Sequence, residues 1–288
     1  MRSGKNTENS MELTVRKAVM DDIDDLVMIE DSAIPGYSYV YDDRFFFLEQ
    51  QGNKGEMVLV EADGKPAGMG QYSVMPDGSG WLECLRVHKD YQHHGVGKLI
   101  YRRYLELAEE SGAPSIAMFT GWKNAASRGL AELNGLSLAG AYTEYVLDLK
   151  DIKRDMPAGF RAVESVDEAV RLIDENRAGW GNFMVLNRTF MHYGIDLYAW
   201  LIDHHMIYTD GENTVVLGCR MLEERGWYIG FFSGNADRCF AFAEAMTAEK
   251  GLPELTVSFP PERNDLAQFC VNRGYRANGE RIVMERIL

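Results

Sequence analysis

Cysteine is scarce and scattered: Cys84, Cys219, Cys239 and Cys270 are the four in 288 residues, and no two stand as Cys-x-x-Cys. That excludes a disulfide framework and a zinc-ribbon spacing, and predicts reduced, partly buried thiols in a cytoplasmic protein. No apolar run approaches the ~18 residues that a membrane helix needs. The start, residues 1–10, is polar and has no signal-peptide core, so a disordered tail is expected there. Positive charge is in deficit as well: 30 Lys and Arg stand against 44 Asp and Glu, a net charge of −14. Such a surface repels phosphate backbones, so nucleic acid is not an expected partner, nor is a membrane. The acidic surplus serves solubility first and suits cationic substrates second. Against these absences stands an ordinary globular composition, 46% hydrophobic and 26% charged, in a length that fits one large domain or two.

The order of local signals repeats. Val15-Arg16-Lys17-Ala18 leads into an Asp-rich helical stretch, Asp21 to Ile29, and Phe160-Arg161-Ala162-Val163 leads likewise into Asp167 to Ile173. Gly80-Trp81 and Gly226-Trp227 each open a strand, then a helical stretch, then a Gly-x-Pro turn at Gly112 or Gly251. Each turn opens a short strand that reaches an Asn at a helix start, Asn124 and Asn264. Arg16 precedes Asn124 by 108 positions and Arg161 precedes Asn264 by 103, which predicts a degenerate duplication. The expected organisation is a first domain over 11–149, a linker over 150–159 rich in turn formers, and a second domain over 160–288. Alternating strands and helices in each half predict an α/β (α+β) architecture around a mixed sheet. One stretch breaks the parallel: Trp180 to Ile207, rich in aromatics, reads as a pair of core-packing helices in preference to a ligand-facing wall.

Chemistry concentrates between Gly80 and Ser111. Trp81-Leu82-Glu83-Cys84-Leu85-Arg86-Val87 has strand character, and a short loop leads to Gln92-His93-His94-Gly95-Val96-Gly97-Lys98. A helix follows, with Val96, Leu99, Ile100, Tyr104, Leu107 and Ala108 on one face. Two glycines between a strand and a helix let main-chain amides converge at the helix N-terminus, where their partial positive charge suits a pyrophosphate. The same letters alone make an ordinary tight turn. The strand before it, the amphipathic helix after it, the second strand and Asn124 together favour a phosphate cradle.

The run Leu85 to Leu99 resembles the acetyl-CoA signature of the GCN5-related N-acetyltransferase (GNAT) superfamily, Leu-x-Val, a loop, Gln/Arg-x-x-Gly-x-Gly/Ala, then a helix. Asn124, followed by Gly135-Leu136, resembles the family's second motif, so the likeness extends over Leu13 to Leu149. It implies a tandem GNAT fold, a mixed and mostly antiparallel central sheet flanked by helices in each half. It also implies acetyl-CoA as cosubstrate. Leu85, Arg86 and Val87 would hold the pantetheine and thioester carbonyl through their main chain. Gln92, His93, His94, Gly95, Val96, Gly97 and Lys98 would wrap the pyrophosphate, and Asn124 with Ser127 would meet the pantetheine arm. Direct transfer from CoA to an amine would follow.

The acceptor amine must lose a proton, which calls for a base near the thioester. Strand alternation puts Trp81, Glu83, Leu85 and Val87 on one face, so Glu83 is a carboxylate among apolar neighbours, and family members often carry Glu here. A Glu that pairs with an Arg or orients a loop is the equal alternative. The family's usual acid, a Tyr seven residues after the motif Asn, is Ala131 here; Ser127, Tyr142, Tyr145 or solvent are the substitutes on offer. His88, His93 and His94 have no Cys or carboxylate at ligand spacing, so no metal is expected. The loop 34–43 lies where the family shapes its acceptor site, and Tyr37, Tyr39 and Tyr41 are candidates to hold an ammonium group, with a solvated loop as the equal alternative.

The second half is seven residues short where the cradle should be: Trp81 to Gly112 spans 31 positions and Trp227 to Gly251 spans 24. Its counterpart of Glu83 is Ile229. This half is expected to keep the fold without the cofactor. The leading function is N-acetylation of a small-molecule amine, amino acids among them, by a monomer or homodimer. A protein N-terminal acetyltransferase and a catalytically silent acyl-CoA sensor are the alternatives.

Overall fold

The computed structural model describes residues 11–36, 55–150 and 154–288. The expected tail over 1–10 and part of the linker fall outside these. The chain packs as two compact units, Met1–Ser73 with Leu82–Gly112, and Val74–Trp81 with Ala113–Leu288.

In the first unit, strand β1 (Leu13–Lys17) runs antiparallel to β2 (Glu56–Ala62), which turns through Asp63-Gly64 into antiparallel β3 (Lys65–Val74). Both turn residues have positive φ, as the tight hairpin turn that Asp-Gly favours requires. Strand β4 (Gly80–Val87) follows β3 in the order. Helix α1 (Ile23–Ala33) buries Leu26 and Ile29. Helix α2 (Val96–Ser111) buries Val96, Ile100, Tyr104, Leu107 and Ala108 of the apolar face its sequence spacing predicts, but Leu99 of that face is half-buried and Tyr101 is buried in addition. It lies directly on β3, because Gly68 and Gly70 carry no side chains. A Cβ on Gly68 would overlap Val96, and one on Gly70 would overlap the Tyr104 hydroxyl.

The second unit contains β5 (Ser115–Gly121), α3 (Ala125–Leu133), β6 (Ser137–Asp148), β7 (Arg161–Ala162) and α4 (Val166–Asp174). Then come β8 (Phe183–Leu186), β9 (Thr189–His192), α5 (Ile195–Asp203), β10 (Ile207–Thr209) and β11 (Thr214–Gly218). The chain closes with β12 (Trp227–Ser233), α6 (Ala236–Glu249), β13 (Glu254–Phe259), α7 (Asn264–Asn272) and β14 (Arg276–Ile287). Its sheet runs β5-β14-β6-β13-β12-β11-β10-β7, and β5 also pairs in parallel with the first two residues of β4, Gly80↔Ile116 and Trp81↔Ala117. Apart from that pair and β12 with β13, the pairings described are antiparallel.

Among the described elements, the second half follows the order of the first apart from β8, β9 and α5, which have no described counterpart there. The closing strands are exchanged, however. Strand β6 of the first half pairs with β13, and β14 of the second half pairs with β5. Residues 113–149, first half by sequence, therefore pack with the second half, and the compact units divide the chain elsewhere than the repeat does.

Residues 180–207 are not a helix pair. They form the hairpin β8–β9 and the single helix α5. Asn187 and Arg188 both take positive φ (51° and 55°), which makes the two-residue turn that suits the twist of a tight hairpin. The segment is core, as expected: Phe183, Phe190, Leu197, Tyr198 and Leu201 are buried.

Candidate active site

The ladder of β4 with β5 ends at Trp81↔Ala117. From Leu82 the strand belongs to the first unit, and at Cys84 its backbone turns left-handed, φ 56°. A non-glycine residue in this region costs about 1–3 kcal/mol and kinks a strand as a bulge does. The strict alternation expected for Trp81, Glu83, Leu85 and Val87 is thus interrupted between Glu83 and Leu85. Trp81 is fully buried, whereas Glu83, Leu85, Arg86 and Val87 are half-buried.

The Glu83 carboxylate is held on the β3 side. Its Oε1 accepts from Gln71 Nε2 at 3.1 Å and from Ser73 Oγ at 3.1 Å, and Gln71 Nε2 also reaches Ser73 Oγ at 2.9 Å. Gln71 and Ser73 are both 0% exposed, so two buried polar side chains hold this carboxylate. Period-2 alternation in β3 puts them on one face, a signal that was present in the sequence beside Glu83 but silent about its partner. Further along, Arg86 lies 3.7 Å from the buried Glu30 carboxylate.

The loop after β4 is built from short-range bonds. His88 donates its amide to Ala67 O at 2.9 Å, its Nδ1 accepts from Asp90 N at 3.3 Å, and Lys89 N donates to Ser32 Oγ at 3.1 Å. Gln92 turns its side chain back on Val87, Nε2 to the carbonyl at 3.3 Å, tying the start of the glycine-rich turn to the end of the strand. His93 (φ 67°) and Gly95 (φ 91°, ψ −2°) are both left-handed, and α2 begins at the next residue, Val96. Leu99 N bonding to Gly95 O at 3.1 Å is the first turn of that helix, and no side chain caps its N-terminus. The amides of Val96, Gly97 and Lys98 precede the first intrahelical donor, as at any helix start. His93, His94 and Lys98 are exposed around them. A Cβ on Gly95 would meet only Leu13 Cδ1, at 3.9 Å, so the space over the turn is open. A pyrophosphate fits such a donor set.

Asn124 and Ser127 lie in the second unit. Asn124 is the N-cap of α3, and its Oδ1 accepts from Ser127 N at 3.1 Å. The guanidinium of Arg128 covers the exposed Trp122 ring at 5.4 Å. Ala131 is fully buried. Tyr142 is engaged on both sides, accepting from Phe183 N at 3.1 Å and donating to Phe183 O at 3.4 Å, and burial pushes its hydroxyl up to about 12. Tyr145 stacks on Phe259 with centroids 5.2 Å apart. Tyr37, Tyr39 and Tyr41 lie outside the described residues. Among the described residues no three His, Cys, Asp or Glu side chains stand together as a metal site, and no helix is long and apolar enough to cross a membrane.

The second half closes off both features. Its parallel ladder stops at Ile229↔Val257, and beyond it Trp180 packs on Phe231 and Phe232 at 5.5 and 5.3 Å. Leu186 and Met184 of the hairpin cover Gly230. Helix α6 has its N-terminus capped by Asn235, whose Oδ1 accepts from Arg238 N at 3.0 Å, and carries Asp237 in its first turn. Capped amides and an acid disfavour an anion there.

An ion pair locks the same hairpin to the sheet. His192 Nε2 and Glu285 Oε1 are 2.6 Å apart, and His192 N donates to Asp77 Oδ2 at 2.6 Å. The Glu285 carboxylate, opposed by burial and helped by Asp77, holds the imidazole above its ordinary value; burial pushes Glu285 up, but His192 and Ser115 together hold it below its own. The raised imidazole contributes stability that is full below pH ~6.5 and is lost as pH rises through its folded value. With His192 41% exposed, the contribution is about 0.5–1 kcal/mol. Wild type is therefore expected to lose more stability between pH 6 and 9 than His192→Gln, read from urea midpoints. Equal losses would show that the pair contributes nothing.

Residues 26–136 match the model of the acetyltransferase (GNAT) family. No curated protein matches the chain. Three solved structures share its fold at low identity. The GCN5-related glucosamine N-acetyltransferase region of a fungal multi-domain GH3 β-N-acetylglucosaminidase is 15% identical with a TM-score of 0.65, covering 95% of this chain and 38% of that one. A tandem GNAT protein from the clavulanic acid biosynthesis pathway is 12% identical, TM-score 0.59, over 96% and 98% of the two chains. A GCN5-related N-acetyltransferase from Sphaerobacter thermophilus is 16% identical, TM-score 0.58, over 96% and 95%.

Proposed function

We propose that this chain, whose residues 26–136 match the model of the acetyltransferase (GNAT) family, is an acyltransferase that moves an acetyl group from acetyl-CoA to the amine of a small molecule by direct transfer. The observation that carries the reading is the start of α2, uncapped and preceded by left-handed His93 and Gly95, immediately after β4. Gln92 to Lys98 take the pyrophosphate on main-chain amides, with Lys98 and the exposed imidazoles adding donors around it. The main chain of Leu85, Arg86 and Val87 receives the pantetheine and thioester. Acetyl-CoA supplies the activated acyl group. Glu83, aimed by Gln71 and Ser73, takes the proton from the acceptor ammonium. Tyr37, Tyr39 and Tyr41 hold that ammonium.

With Ala131 buried where the family places a Tyr hydroxyl, the leaving thiolate takes its proton from solvent. The same observation favours a second reading, a silent acyl-CoA sensor. One assay separates them: thioester turnover over free amino acids, polyamines and peptides, with turnover on small amines expected and turnover on peptides alone favouring a protein acetyltransferase. Binding without turnover leaves the sensor. The filled ladder end and capped helix of the second half further lead to one acetyl-CoA per chain in titration calorimetry. A stoichiometry of two would overturn the assignment of the cofactor to the first half.

A further inference from the structure

Helix α2 does more than begin at the pyrophosphate turn. Tyr104, two turns into it and 0% exposed, donates its hydroxyl to the carbonyl of Glu83 at 3.2 Å. That carbonyl belongs to the peptide that leads into left-handed Cys84. Gly70 of β3 makes the contact possible, since a Cβ there would overlap the Tyr104 hydroxyl. Tyr101, one turn back, packs edge-on against the Tyr104 ring with centroids 5.7 Å apart, so the ring has little room to swing. Burial raises the Tyr104 hydroxyl well above its ordinary value, so it stays a donor throughout the working range of pH. One rigid helix thus carries the amides of residues 95–98 at its start and, about 12 Å along at 1.5 Å per residue, grips the kink of β4.

We propose that Tyr104 is a positioning residue for acetyl-CoA: through the Glu83 carbonyl it fixes the left-handed turn at Cys84, and so the direction of the Leu85–Val87 main chain that receives the pantetheine and thioester. The proposal rests on the acetyl-CoA reading above. It assigns the helix two tasks on one ligand, the phosphates at its N-terminus and the acyl end through Tyr104. Removing the hydroxyl leaves the first task intact and damages the second, because a strained residue held by one fewer bond relaxes toward extended backbone.

Tyr104→Phe keeps the ring and its packing. Calorimetry with acetyl-CoA and with 3′-phospho-ADP, which has the phosphates but no pantetheine, separates the tasks. The variant is expected to bind acetyl-CoA about tenfold more weakly and 3′-phospho-ADP within about twofold of wild type. Cys84→Gly should rescue it, because glycine takes positive φ without strain: the double variant should bind acetyl-CoA within about twofold of Cys84→Gly alone. That pair carries the test by itself should Tyr104→Phe not fold. Unchanged acetyl-CoA affinity in Tyr104→Phe, an equal loss for both ligands, or a double variant about tenfold weaker than Cys84→Gly would each overturn the positioning role. Wild type binding neither ligand would instead sink the acetyl-CoA reading itself.

Discussion

Gly95→Glu is expected to lower the affinity for CoA by tenfold or more, ~1.4 kcal/mol or greater, in a protein that still folds. Two effects meet at this position. Gly95 sits at φ 91°, which a side chain tolerates poorly, and that strain costs the fold about 1–3 kcal/mol. The space above it is open, with Leu13 Cδ1 at 3.9 Å as the one neighbour of an added Cβ, so packing adds little. The carboxylate, in contrast, lies at the amides of the α2 N-terminus, where it is itself attracted and where it repels a pyrophosphate. Gly95→Asn separates the two effects, since Asn carries the left-handed strain more lightly than most residues and brings no charge. It should keep affinity within a few-fold of wild type, and raising the salt should recover part of the loss in Gly95→Glu alone. Calorimetry of CoA against the three proteins checks this. Wild-type affinity in folded Gly95→Glu would remove the cradle from this turn.

The parts of this site that were legible in the sequence are those fixed by neighbours along the chain. The strand Gly80–Val87, the turn at Gln92–Gly95 and the amphipathic face of Val96, Ile100 and Tyr104 each follow from spacing within about twenty residues, and so does Asn124 as a helix cap. What was not legible depends on partners far away or on unmarked backbone. The exchange of β6 and β14 pairs Ile287 with Ser115, a partnership between residues 172 positions apart that no local pattern announces. The hairpin at Asn187-Arg188 looks helical in the sequence because Arg at positive φ gives no turn signal, and the aromatic run fits either period. The kink at Cys84 was hidden for the same reason, since alternation around Glu83 looks regular until one residue turns left-handed. Gly68 and Gly70 stood in plain view, but their purpose appears only once α2 is laid across them. The spacing of signals in the second half makes legible the element order that it shares with the first, β8, β9 and α5 apart. The packing of Trp180 on Phe231, and of Met184 and Leu186 against Gly230, joins residues far apart in the chain and required the structure.

Glu83→Gln is expected to lower turnover by ~10²–10⁴-fold at neutral pH while acetyl-CoA affinity stays within about twofold. The substitution is close to isosteric where it matters. A glutamine Oε1 can still accept from Gln71 Nε2 and Ser73 Oγ, so the side chain keeps its aim and its place on the kinked strand. What it loses is the capacity to take a proton. At neutral pH the acceptor is an ammonium ion, and without a base nearby only its small deprotonated fraction reacts. As pH rises that fraction grows without help from the protein, so the deficit should shrink through the alkaline range, by up to about tenfold per pH unit. A Glu whose role is to orient the loop, through the same bonds to Gln71 and Ser73, predicts something else. Glutamine would then serve nearly as well, or the loss would be the same at every pH and would extend to acetyl-CoA affinity. The full profile of kcat/KM against pH for wild type and Glu83→Gln, on an amine found by the turnover panel, decides between them. A pH-independent loss, or none, would return Glu83 to a structural part and leave a water or another group as the base.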